Sequence, residues 1–89
     1  MKAMYLEVTF RHGRPIAAYL YLPRGTGEKS SRTLKVEPGL IIDFGSSGNP
    51  IGIEITAPTK ITVADLNAVL SKLGLSSLKE SELAPLRAA

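Results

Sequence analysis

No cysteine occurs in the 89 residues, which excludes disulfide staples, thiolate nucleophiles, zinc–thiolate sites and iron–sulfur clusters. Histidine is nearly as scarce. His12 stands alone in a turn between arginines, so no pair of imidazoles can hold a transition metal, and the serines share one possible base. Neither a Gly-x-Ser-x-Gly elbow nor a P-loop occurs, and the Gly25-Thr26-Gly27 stretch lacks the strand–helix setting of a phosphate loop. The expectation is a protein that is not an enzyme and holds no cofactor and no metal. Long apolar runs are missing too: none approaches the roughly eighteen residues that span a bilayer, and Met1 to Glu7 alternate in polarity where a signal peptide would be apolar. That predicts a cytoplasmic protein with no membrane partner.

What is present suits a small globular chain. Hydrophobic residues make up 44% and charged residues 21%, well away from the polar, highly charged compositions that stay disordered. The length predicts a single domain over 1–89, with a β-sheet core over 1–57 and a C-terminal helical segment over 58–89. The net charge of +3 is unevenly spread: residues 1–35 carry seven Lys/Arg against two acids, and residues 36–89 carry four against six. A basic half can attract nucleic acid or an acidic partner.

Alternation marks the strands. Met4, Leu6, Val8 and Phe10 fall on one side of an extended segment, and Tyr5, Glu7 and Thr9 on the other. Arg11 to Pro15 is a turn, and Ile16 to Leu22 is the return strand. Pairing Phe10 with Ile16 sets Val8 opposite Ala18, Leu6 opposite Leu20 and Met4 opposite Leu22, so that apolar meets apolar throughout. Pro23 to Ser31 reads as a mobile polar loop. Arg32 to Glu37 is a shorter strand, Pro38-Gly39 a tight turn of type II chemistry, and Leu40 to Phe44 the next strand. Gly45 to Pro50 turns the chain into a fifth strand, Ile51 to Thr56; pairing Phe44 with Ile51 sets Ile42 opposite Ile53 and Leu40 opposite Ile55.

Beyond Pro58 the period changes. Val63, Leu66, Val69, Leu70 and Leu73 share a helical stripe, with Thr62 as N-cap and Gly74 as terminator. A second helix over Ser77 to Ala84 is predicted from a capping box of Ser77 and Glu80 and a stop at Pro85. Strands first and helices last predict an α+β fold: a five-stranded, mainly antiparallel sheet with a C-terminal helix packed on one face.

The run Pro38 to Ile55 resembles a family of small prokaryotic proteins catalogued as domain-of-unknown-function family 2283. Its members carry a strand ending in aspartate, a glycine-containing turn and a Gly-Ile-Glu-Ile strand, matched here by Asp43, Gly48, Gly52 and Glu54. Ala18 to Leu22 is similar to a Leu-Tyr-Ile-Arg-Leu strand of the same family, which extends the resemblance over about residues 8 to 57. The aspartates that members often carry in the first turn are absent from Arg11 to Pro15, and the helix after Pro58 exceeds the family core. Some members are suggested antitoxins, so the resemblance implies an antitoxin-like role with a toxin as partner.

The register sends Tyr5, Tyr19, Tyr21 and Ile41 to the side opposite the core, beside Glu7, Thr9, Asp43, Glu54 and Thr56. Such a face is either an ordinary solvated sheet surface or a protein–protein interface, for which tyrosine supplies large area and a hydrogen-bonding tip. The reading adopted is a non-enzymatic interaction module that self-associates as a homo-oligomer, through this face or through the C-terminal leucines Leu83 and Leu86; for those leucines, packing back on the domain is the preferred reading over a docking surface. The alternative is nucleic-acid binding, with bases stacked on the tyrosines and phosphates held by Arg11, Arg14, Arg24, Lys29, Arg32 and Lys35, although Glu7, Asp43 and Glu54 on the same face would repel phosphates. Asp43 and Glu54 fall diagonally across one strand pair, a spacing that suits acid–base chemistry or a hard cation only within a pocket.

Overall fold

The computed structural model describes residues 4–23 and 29–87. Five strands come first: β1 (Tyr5–Arg11), β2 (Arg14–Tyr21), β3 (Ser30–Glu37), β4 (Leu40–Gly45) and β5 (Pro50–Ile55). A short 3-10 turn, Pro58–Lys60, leads into helix α1 (Val63–Lys72), and a 3-10 helix spans Glu80–Arg87. The strands form one sheet in the order β1-β2-β5-β4-β3, antiparallel at every pairing. The fold is α+β, as the order of the periodicities predicts. Of the polar loop expected at 23 to 31, residues 24–28 lie outside the described residues.

The middles of both hairpins pair as the alternation predicts: Leu6 with Leu20, Val8 with Ala18, Ile42 with Ile53 and Leu40 with Ile55. Their turn ends do not. His12 and Gly13 both have positive φ, at 52° and 77°, and form a two-residue turn that matches strand twist and sets Arg11 against Arg14. Turn and strand registers therefore differ by one residue. The difference is absorbed between Thr9 and Phe10, so Phe10 faces Pro15, not Ile16. Phe10 and Ile16, expected in the core, are each 46% exposed. The second hairpin behaves alike. Gly48, at φ 92°, ends a turn in which its N–H donates to the carbonyl of Gly45, and Phe44 faces Pro50 in place of Ile51.

One apolar cluster joins sheet and C-terminal segment: Leu20, Leu22, Leu40, Ile42, Ile53 and Ile55 meet Leu66, Val69 and Leu70 of α1, with Leu78, Leu83 and Leu86. Each such side chain stabilises the fold by about 1.5–3 kcal/mol relative to exposure. Helix α1 opens on a capping box, in which the Thr62 hydroxyl accepts from the Asp65 N–H and the Asp65 carboxylate accepts from the Thr62 N–H. It closes at Gly74, φ 74°, with the Leu75 N–H donating to Leu70 and the Gly74 N–H to Ser71, the paired bonds of a Schellman end.

The helix expected over Ser77 to Ala84 is absent. Asn67, half-buried on α1, grips the backbone of Leu78 from both sides: its carboxamide donates to the Leu78 carbonyl at 3.0 Å and accepts the Leu78 N–H at 2.7 Å. With Leu78 tied to a side chain, helical bonds start only later. The N–H of Lys79 is capped by Glu82, so Glu82 takes the role expected of Glu80, and Pro85 lies inside the 3-10 helix instead of ending it.

Candidate functional site

Alternation along five antiparallel strands divides the sheet into a face under α1 and an opposite face. On that opposite face the register builds two rows. Tyr5, Tyr21, Gly52, Asp43 and Thr33 lie side by side across β1, β2, β5, β4 and β3; Glu7, Tyr19, Glu54, Ile41 and Lys35 form the row beside them. All four candidate sheet residues, Tyr5, Tyr19, Tyr21 and Ile41, are on this face. Tyr5 is 56% exposed, and Tyr19, Tyr21 and Ile41 are half-buried.

The three rings pack on one another. Tyr19 meets Tyr21 edge-to-face at 4.8 Å between centroids, and Tyr5 tilts on Tyr21 at 5.0 Å, within the range where aromatic pairs attract beyond their buried area. Their hydroxyls reach diagonally for acids: Tyr19 donates to Asp43 Oδ2 at 2.7 Å and Tyr21 to Glu7 Oε1 at 2.9 Å. The first bond crosses a whole strand, because β5 lies between β2 and β4. Gly52 makes that crossing possible. A Cβ at Gly52 would overlap the hydroxyl and ring of Tyr19, so the ring lies over the bare backbone of β5 and buries it. Asp43, Gly48, Gly52 and Glu54 thus divide by role: Gly48 shapes the turn, Gly52 is the floor under Tyr19, Asp43 accepts its hydroxyl, and Glu54 pairs with Tyr19 across β2 and β5.

Asp43 is therefore engaged by Tyr19, and the acid pair imagined with Glu54 has a tyrosine beside it. Two clefts among the described residues lie away from this acid pair. One of about 340 Å³ is lined by Met4, Tyr5, Leu6 and the 80s segment, the other of about 380 Å³ by Glu37, Pro38, Thr56 and Lys60. Among the described residues, no three His, Asp or Glu side chains gather as a metal site, and no helix is long and apolar enough to cross a membrane.

Other candidates are placed differently. Leu83 and Leu86 are each 1% exposed; both belong to the cluster under the sheet and offer no surface for a partner. The basic residues do not converge. Arg11 and Arg14 flank the β1–β2 turn, whereas Arg32 and Lys35 lie on β3 at the far edge of the sheet, four strand spacings or about 19 Å away. Arg32 is moreover stacked on the Phe44 ring, 4.2 Å from its centroid, and Phe44 packs against the core, so Arg32 belongs to the other face. Lys29 precedes β3, exposed; Arg24 lies outside the described residues.

Sequence reasoning underrated Glu7, which alternation already put on this face, and missed that Glu7 and Asp43 each accept a tyrosine hydroxyl. The Tyr19–Asp43 bond depends on β2 pairing with β5 across the loop and β3–β4, a long-range contact that no local pattern announces. Residues 17–57 match a family described as "Protein of unknown function (DUF2283)"; the match runs from β2 to the end of β5 and leaves out β1, α1 and the C-terminal segment. No curated protein and no solved structure matches the chain.

Proposed function

We propose that this chain, whose residues 17–57 match the DUF2283 family, is a non-enzymatic interaction module that self-associates through its tyrosine face. The observation that carries the reading is the tyrosine cluster itself: Tyr5, Tyr19 and Tyr21 are packed ring on ring on the sheet face away from α1. Rings held this way lose little side-chain entropy when a partner covers them, and tyrosine is among the residues enriched at interface centres. Leu83 and Leu86 are buried in the core, which favours the tyrosine face over the leucines as the associating surface.

The test is light-scattering mass on a sizing column for the parent and for Tyr5→Ser/Tyr21→Ser. The parent is expected to run as a dimer or larger and the variant as a folded monomer with an unchanged far-ultraviolet spectrum. A monomeric parent at all accessible concentrations, or a variant that associates as tightly as the parent, overturns the reading.

A further inference from the structure

The two edges of the sheet are not alike. β3 bounds one edge and is guarded in the ways that keep sheet edges apart: Ser31 and Val36 are extra residues in its pairing with β4, so it bulges twice, and Arg32 and Lys35 line it. β1 bounds the other. At the one irregularity beside it the extra residue, Ile16, belongs to β2, so β1 itself runs unbulged from Tyr5 to Arg11, with neither proline nor lysine. Among the described residues, no strand pairs with its outer side.

The backbone groups on that outer side can be assigned. The Leu22 N–H donates to the Ile51 carbonyl, so Leu22, Leu20 and Ala18 bond towards β5, and Tyr21, Tyr19 and Ala17 bond towards β1. Their partners Tyr5, Glu7 and Thr9 bond inward, which leaves Leu6, Val8 and Phe10 presenting N–H and C=O outward. The same three side chains lie on the α1 side of the sheet. Phe10 is 46% exposed, and Leu6 lines the cleft of about 340 Å³ beside the C-terminal segment.

We infer that β1 pairs antiparallel with β1 of a second copy about a two-fold axis at Val8, joining the two five-stranded sheets into one. Val8 is the midpoint of the strand, so the whole of Tyr5–Arg11 overlaps. Val8 meets Val8 and Leu6 meets the partner's Phe10, each as a hydrogen-bonded pair, and Phe10 comes to the mouth of the partner's cleft. On the other side of the sheet the partner's Arg11 stands opposite Tyr5, which is 56% exposed, with Glu7 diagonal to it; a guanidinium gains from both the ring and the carboxylate. The symmetry makes each of these contacts occur twice. Other registers do worse: centring on Glu7 sets Glu7 directly on Glu7, and centring on Thr9 leaves Tyr5 and Leu6 without a partner. This edge contact is separate from the covering of the tyrosine face and does not rest on it. Tyr5 takes part in both, so Tyr5→Ser/Tyr21→Ser weakens both.

Cysteine cross-linking tests the contact, because the chain has no cysteine of its own. The Cα atoms of a hydrogen-bonded antiparallel pair are about 5.5 Å apart, a separation that a disulfide bridges. Val8→Cys, made in the full chain and oxidised mildly at micromolar concentration, should form a disulfide-linked dimer about tenfold or more faster than Leu34→Cys on the guarded edge, where Leu34 is 48% exposed. An equimolar mixture of Leu6→Cys and Phe10→Cys should link as the heterodimer. Either of these alone should not, its two sulfurs lying four residues, or about 14 Å, apart along the strand pair. Face-to-face association leaves all three positions on the far side of the sheet and produces neither link, so both should persist in a Tyr21→Ser background. If Val8→Cys links no faster than Leu34→Cys, or Leu6→Cys and Phe10→Cys link alone as readily as together, the edge contact is refuted while the tyrosine-face reading keeps its own test.

Discussion

Gly52→Ala should destabilise the protein only while Tyr19 is present. Gly52 does not have positive φ, so alanine can adopt its backbone, and in an open strand the change would stabilise by about 0.5–1 kcal/mol through lost chain entropy. Here the new methyl overlaps Tyr19. The ring must leave, giving up its bond to Asp43 and its edge contact with Tyr21. A hydrogen bond to a charged acceptor contributes about 1.5–3 kcal/mol, nearer the lower end at a half-exposed site, and an aromatic pair about 0.5–1.5 kcal/mol. After the entropy gain the net loss is about 1–2 kcal/mol, or about 5–15 °C in Tm for a chain of this length. The assay is urea and thermal unfolding at fixed protein concentration for the parent, Gly52→Ala, Tyr19→Ala and the double variant. In the Tyr19→Ala background Gly52→Ala should turn neutral or stabilising, a coupling of about 2 kcal/mol. Equal destabilisation in both backgrounds would refute the argument that Gly52 exists to let Tyr19 cross β5.

Two further outcomes follow from the C-terminal half. Asn67→Ala strips both bonds from the Leu78 backbone and should cost about 1–3 kcal/mol, with hydrogen exchange at the Leu78 amide accelerating more than at the amides of β4 and β5. Leu86→Ala should lower stability by about 2–5 kcal/mol, because it opens a cavity in the core; a change that altered oligomer mass and left stability intact would return Leu86 to the surface.

Much of the fold was legible in the sequence because its sheet has two chemically distinct faces. Where Leu6, Val8, Ala18 and Leu20 alternate against polar neighbours, a slip of one residue would invert every side chain, and the pairing is fixed. At Phe10 and Phe44 the same logic failed. There the turns set register, and their positive-φ residues His12, Gly13 and Gly48 demand one residue more or fewer than the hydrophobic pattern, which bulges supply. The helix start was readable in Thr62 and its end in Gly74, since caps are local. The segment after Gly74 was not, because its course is decided by Asn67, a polar residue on α1 whose partner lies eleven positions away. The tyrosine face was legible as a set of residues; its internal order was not. Alternation puts Tyr19, Asp43 and Gly52 on one side of the sheet, but only the long-range pairing of β2 with β5 makes them neighbours.

The central claim, that a partner copy covers the tyrosine face, is open to a direct optical test. The chain has no tryptophan and its three tyrosines are Tyr5, Tyr19 and Tyr21, so all of its tyrosine emission arises from the surface in question. Acrylamide quenching of that emission should be measured across a dilution series from high micromolar to nanomolar protein. The account predicts weak quenching at high concentration that rises to a plateau as the parent dissociates, in step with the fall in its mass. Quenching that is independent of concentration, in a protein whose mass shows it to associate, would place the interface elsewhere.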